Sequence, residues 1–152
     1  MKTLHSAIEI DASPEDVWAV LADLGRYPDW NPFIPSIAGT LAEGARLAVR
    51  LAPPGGTGMA FRPTVLAATP GRELRWIGRL LVRGLFDGEH RFAIEPLGAG
   101  RVRFIQEERF TGLLVPLFAR SLDGPTRAGF AAMNRALKER AEASATAALA
   151  VD

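Results

Sequence analysis

The chain predicts an α+β fold in which one curved antiparallel sheet wraps around a long C-terminal helix. Two observations carry this. From Leu117 to about Ala143 the apolar residues Leu122, Phe130, Met133 and Leu137 fall at helical spacing, with Ala119, Thr126 and Ala141 filling the same stripe. Arg135, Lys138, Glu139, Arg140 and Glu142 mostly take the other faces, so this helix is amphipathic and needs a surface to lie on. Almost everything upstream alternates with the period of two that marks strands. The stripe serves first as core. If sheet and helix do not quite fill the space between them, a ligand chamber remains.

Taken in order, Thr3 to Ile10 places Leu4, Ser6, Ile8 and Ile10 on one face, with the solvated His5 on the other. The period changes at Asp11. Ser13 is a helix N-cap, Pro14 suits the first helical position, and Glu15 and Asp16 favour the positive helix end. Val17, Trp18, Val20, Leu21 and Leu24 give that helix its apolar face up to about Gly25. Two prolines in Tyr27-Pro28-Asp29-Trp30-Asn31-Pro32-Phe33 allow only a single helical turn and a tight loop, and Trp30, Pro32 and Phe33 are expected to pack as a lid. Gly44 to Leu51 alternates again, with Leu47, Val49 and Leu51 inward. Pro53-Pro54-Gly55-Gly56 reads as a flexible hairpin tip, because it lacks the lysine and strand–helix context of a phosphate loop.

Met59 to Thr69 reads as one strand with Pro63 at an edge or bulge, and Arg72 to Gly78 follows with Leu74 and Trp76 on one face. The stretch from Leu80 to Gly84 fits no pattern. Leu85 to Glu95 puts Phe86, Gly88, His90, Phe92 and Ile94 inward, against Asp87, Glu89, Arg91 and Glu95 outward. After the turn Pro96–Gly100, Val102, Phe104, Gln106, Glu108 and Phe110 face inward. Leu113–Phe118 leads into the long helix, where Gly124-Pro125 predicts a bend or restart between Ser121 and Thr126, with Asp123 as a cap. One domain spans residues 1–143, and the Ala-rich tail 144–152 is expected to fray.

Composition narrows the function. Eighteen basic residues nearly balance seventeen acidic ones, so no large field draws in nucleic acid. Without cysteine there are no disulfides or thiolate metal sites, and with two histidines on opposite faces no zinc set assembles. No cofactor is expected. The N-terminus carries charge where a signal peptide would be apolar, and no segment reaches the roughly 20 apolar residues of a membrane span. The expectation is a cytoplasmic monomer or homodimer with no stable membrane insertion.

Three polar side chains fall on faces otherwise reserved for Phe, Ile and Val: His90, Gln106 and Glu108. Pairing across a hairpin keeps side-chain parity, so His90 stands opposite or diagonal to both others. A buried imidazole and carboxylate should find each other, since either alone costs several kcal/mol. The pair either braces the sheet or serves as an anchor or acid–base pair within a pocket. No nucleophile elbow, metalloprotease helix or dinucleotide fingerprint accompanies it.

Order and motifs carry a resemblance. Ile8-Glu9-Ile10-Asp11-Ala12-Ser13-Pro14-Glu15-Asp16-Val17-Trp18 resembles the start of polyketide cyclase/dehydrase-like proteins of the START-related (SRPBCC) superfamily. Tyr27–Phe33 resembles their loop after the first helix, and Glu107-Glu108-Arg109-Phe110-Thr111-Gly112 their last-strand signature. The resemblance implies a helix-grip fold with two short helices after the first strand, enclosing a cavity for lipids, polyketides or other apolar small molecules. Three readings follow. In the first, Trp76, Phe86, Phe92, Phe104, Phe110, Phe130 and Met133 wall a chamber for an apolar or aromatic molecule, which His90, Gln106 and Glu108 orient. In the second, a cyclase or dehydratase uses His90 or Glu108 to remove a proton alpha to a carbonyl while an inward arginine or Gln106 steadies the enolate. The third is a cochaperone-like module, whose one candidate apolar patch is Leu113–Phe118.

Overall fold

Strict alternation opens the chain and forms strand β1, Lys2–Ile10, with Leu4 and Ile10 fully buried and His5 in solvent. The computed structural model describes residues 1–80 and 82–151, the last by its backbone alone. Helix α1, Pro14–Ala22, starts where Ser13 Oγ accepts the Asp16 amide at 3.1 Å. A 3₁₀ turn at Leu24–Arg26 leads into the one-turn helix α2, Tyr27–Trp30. Phe33 is buried against Phe130 at 5.7 Å between ring centroids, and Trp30 meets Tyr27 edge-on at 5.1 Å. Pro32 is exposed, so the expected lid packs through two of its three residues.

Tyr27 is fully buried, and its hydroxyl donates to the Leu21 carbonyl at 2.6 Å. Burial pushes its phenol far above the ordinary pKa of about 10. The folded state then holds this proton more tightly than the unfolded chain, so stability is complete below pH ~10 and declines above it. Tyr27 is the only tyrosine, which makes tyrosinate absorbance a clean reporter. The signal should rise only together with loss of far-ultraviolet circular dichroism, and Tyr27→Phe should give up about 1–3 kcal/mol by leaving a buried carbonyl unpaired. A tyrosinate signal near pH 10 from protein whose dichroism is intact would contradict this account.

Strands β2 (Ser36–Ala38), β3 (Ala48–Leu51) and β4 (Met59–Phe61) form a small antiparallel sheet in that order. β2 has no counterpart in the sequence reading. The single strand expected over Met59–Thr69 is two strands in two sheets, because β5 (Thr64–Thr69) sits at the edge of a five-stranded sheet. Pro63 lies at the break, where it has no N–H to continue a ladder and offers only its carbonyl, to Leu47 at 2.9 Å. The large sheet runs β1-β8-β7-β6-β5, with β6 at Glu73–Leu80, β7 at Phe86–Gly98 and β8 at Arg101–Thr111. An Arg46–Thr64 bridge and two 2.8 Å backbone bonds between Val65 and the Gly44–Ala45 segment stitch the two sheets together. Asp87 faces outward as expected but is buried, its carboxylate accepting the Gly84 amide at 3.2 Å.

Helix α3, Val115–Val151, fills the concave side and buries Phe130, Met133, Leu137 and Ala141. It is one continuous helix with Pro125 inside it, which corrects the expected restart between Ser121 and Thr126. Ser121, whose carbonyl loses its donor to the proline, is exposed, so water can take that donor's place. Asp123 pairs with Arg127 one turn on at 2.6 Å instead of capping a new helix. Residues 144–151 continue the helix where fraying was expected, and Asp152 lies outside the described residues. The Pro53–Gly56 tip reaches α3: a Cβ added to Gly56 would stand 3.1 Å from the Pro125 Cβ.

Candidate functional site

Three neighbouring strands bring the polar core residues into register. His90 on β7 pairs with Trp76 on β6 and with Glu108 on β8. His90 Nδ1 is hydrogen-bonded to Glu108 Oε2. The other carboxylate oxygen lies over Gly88, where an added Cβ would be 2.7 Å from it, so glycine at that place makes the room. A carboxylate facing Nδ1 keeps a proton there. Nε2 is then an acceptor in the neutral ring and a donor in the charged one.

Nε2 is buried and has no hydrogen-bond partner. Around it the imidazole stacks on Trp76 (5.3 Å, 22° between planes), lies 4.4 Å from Phe92 and meets Phe130 edge-on at 5.3 Å. Leaving such a group unpaired costs about 1–3 kcal/mol. Glu108 thus fixes the ring through one nitrogen, while the other is buried without a partner on an imidazole packed among aromatic rings.

The remaining residues divide by depth. Trp76, Phe92, Phe104, Phe130 and Met133 are no more than 2% exposed, so no chamber that a water molecule could enter lies against them. The inner part is filled by side chains, with Phe104 stacked on Phe92 at 5.9 Å. Nearer the start of α3 the packing loosens. The Glu108 side chain is 13% exposed, and Gly88, Phe86, Leu51, Phe61 and Leu122 are all half-buried. Phe86, among these looser side chains, lies 5.5 Å from Phe110 and 5.8 Å from Phe118. The His90–Glu108 pair stands at the boundary between the two zones.

Gln106 turns away from that pair. Its Nε2 donates to Asn134 Oδ1 at 2.7 Å and to the Phe130 carbonyl at 3.3 Å, and Asn134 Nδ2 donates to Ser6 Oγ at 3.0 Å. Asn134 is the residue that the sequence reading missed. Its signal was a polar side chain at the fourth place after Phe130 and the third before Leu137, inside the buried stripe.

Two surface depressions stand apart from this site. One of about 500 Å³ lies on the small sheet beside Arg50 and Arg62, and one of about 350 Å³ lies among Thr3, Arg75, Glu89, Arg91, Glu107 and Arg109. Neither touches His90 or Glu108. The second belongs to a ladder of surface ion pairs, such as Arg91–Glu73 at 2.8 Å, which contribute little each. Among the described residues no three His, Asp or Glu side chains gather as metal ligands, and no helix is long and apolar enough to cross a membrane.

A model of the family described as polyketide cyclase / dehydrase and lipid transport matches residues 1–148. No curated protein matches the chain. Among solved structures, the Zhui aromatase/cyclase from Streptomyces sp. R1128 superposes with a TM-score of 0.75 at 18% identity, covering 93% of each chain. A START superfamily protein from Mycobacterium smegmatis gives 0.69 at 24% identity, covering 93% of this chain and 97% of that one. The di-domain aromatase/cyclase BexL of the BE-7585A biosynthetic pathway gives 0.69 at 13% identity, and the chain spans 46% of its length. These likenesses establish the helix-grip fold: a curved antiparallel sheet around a long C-terminal helix.

Proposed function

This chain belongs to the polyketide cyclase/dehydrase and lipid transport family, and we propose that it binds an apolar or aromatic small molecule between the sheet and α3. One observation carries the reading: His90 Nε2 is buried without a partner, among aromatic rings, on an imidazole that Glu108 holds in place. A ligand that brings one polar atom to Nε2 relieves the unpaired group while its apolar body rests on Trp76, Phe92 and Phe130. The half-buried side chains beside Glu108 mark the route inward, and the inner rings must shift to make space.

The test compares 2-naphthol with naphthalene by fluorescence titration. A hydroxyl donating to Nε2 should favour 2-naphthol by about threefold to tenfold, the value of one hydrogen bond. His90→Phe keeps a ring in the stack and should erase the preference while still binding naphthalene. Equal affinities in the parent protein would overturn the reading, as would a preference that survives in the variant. Native mass spectrometry of the purified protein addresses the natural ligand directly.

A second reading, cyclase or dehydratase, is favoured by the same carboxylate-held imidazole, which has the form of a general base. The two solved aromatase/cyclases above share its fold. With a poly-β-ketone thioester as substrate, Glu108→Gln should slow ring closure by about 10²- to 10⁴-fold and leave binding near the parent value. Unchanged turnover in that variant would remove Glu108 from any mechanism.

A further inference from the structure

The turn between β6 and β7 and the start of α3 meet at one surface tip. The Leu113 amide donates to the Gly84 carbonyl at 3.2 Å and the Leu114 amide to that of Leu85 at 3.0 Å, so the two segments are bonded to each other. From this tip Leu80, Val82, Leu113, Leu117 and Phe118 project, each between 37% and 83% exposed. Single exposed apolar residues are ordinary, but five on two bonded segments mark an interaction surface.

Charge points to the occupant. Arg79, Arg83 and Arg120 are exposed on the same two segments and make no ion pair among the described residues. Neither 79–86 nor 112–122 contains an acidic residue, although the whole chain has only one more basic than acidic residue. The flanking acids are engaged elsewhere: Asp87 is buried on Gly84, and Asp123 pairs with Arg127 and Lys2. Apolar side chains protruding from turns, with arginines and no acids between them, suit a soft anionic surface that needs no matching shape.

We propose that this tip docks the protein peripherally on an anionic lipid bilayer, with the Phe86–Phe118 pair on the side that faces the lipid. No helix among the described residues can span the bilayer, so the leucines insert only to interfacial depth. The inference stands apart from the ligand reading, because the side chains placed against His90 (Glu108, Trp76, Phe92 and Phe130) are not those of the tip.

The test is co-sedimentation with vesicles of phosphatidylcholine alone and of phosphatidylcholine mixed with phosphatidylglycerol. The parent protein should pellet with the mixed vesicles and progressively less as salt is added. Replacing Arg79, Arg83 and Arg120 together by Gln should weaken binding about a hundredfold, at roughly fivefold for each arginine. Leu113→Ser with Leu117→Ser should weaken it at least tenfold. All these side chains are exposed, so circular dichroism and melting should match the parent. His90→Phe should pellet normally even if the naphthol test fails. Failure to pellet, equal pelleting with both vesicle types, or unaffected variants would overturn the proposal. So would a parent dimer that Leu117→Ser splits without any vesicle binding, or capture of the tip by an acidic protein alone.

Discussion

Trp76→Ala should lower stability by about 3–5 kcal/mol, enough to threaten folding in a domain of this size. The indole is 2% exposed, stacks on His90 and meets Phe92 edge-on at 5.3 Å, so no neighbour is free to collapse into the space it leaves. At roughly 2–4 °C per kcal/mol, thermal melting would show the loss plainly. The hole would also open against the face of the His90 ring, whose Nε2 is unpaired. Indole added to the variant should therefore bind and restore part of the melting temperature, while the parent protein shows no such shift. A variant that melts with the parent would mean that the packed interior described here is wrong.

Gly129→Ala should destabilise by about 1–3 kcal/mol, the reverse of what a helix ordinarily gains from alanine, about 1 kcal/mol. Gly129 lies inside α3, and a Cβ built there stands 2.2 Å from Phe33 Cδ2 and 2.5 Å from its Cε2. Phe33 is itself buried and wedged against Phe130, so the ring has little freedom to retreat. Adding Phe33→Leu should recover part of the loss, since a smaller side chain frees that contact. Urea unfolding of the single and double variants measures both effects. A Gly129→Ala protein more stable than its parent would show that the loop after α2 is not pinned to the helix.

The parts legible in the sequence are those where a wrong choice was expensive. Slipping β7 or β8 by one residue would have exposed Phe92 and Phe104 and buried Arg91 and Glu107, so alternation set the register that pairs His90 with Glu108. Ser13 and Pro14 marked the start of α1 by chemistry that allows few alternatives. Three-residue strands such as β2 carry no period to read. The division of Met59–Thr69 between two sheets depends on which neighbour each half finds, and Pro63 announces a disturbance without saying which kind. The restart expected at Pro125 does not occur because local preference yields when a helix is held by burial further along, here at Phe130, Met133 and Leu137. Nor does a hydrophobic pattern report volume. The same phenylalanines would line an open chamber or close one, and only their packing distinguishes the two.

The chain of bonds from Gln106 to Asn134 to Ser6 has a mechanical consequence for α3. Apolar contacts along a helix tolerate sliding, because one leucine or methionine serves much like another. The amides do not. Moving α3 along its axis by one turn would part Asn134 from both Gln106 and Ser6 and strand buried polar atoms at about 1–3 kcal/mol each. The trio therefore acts as a detent: it locks the helix at one axial setting, and with it the height at which the edge of Phe130 meets His90.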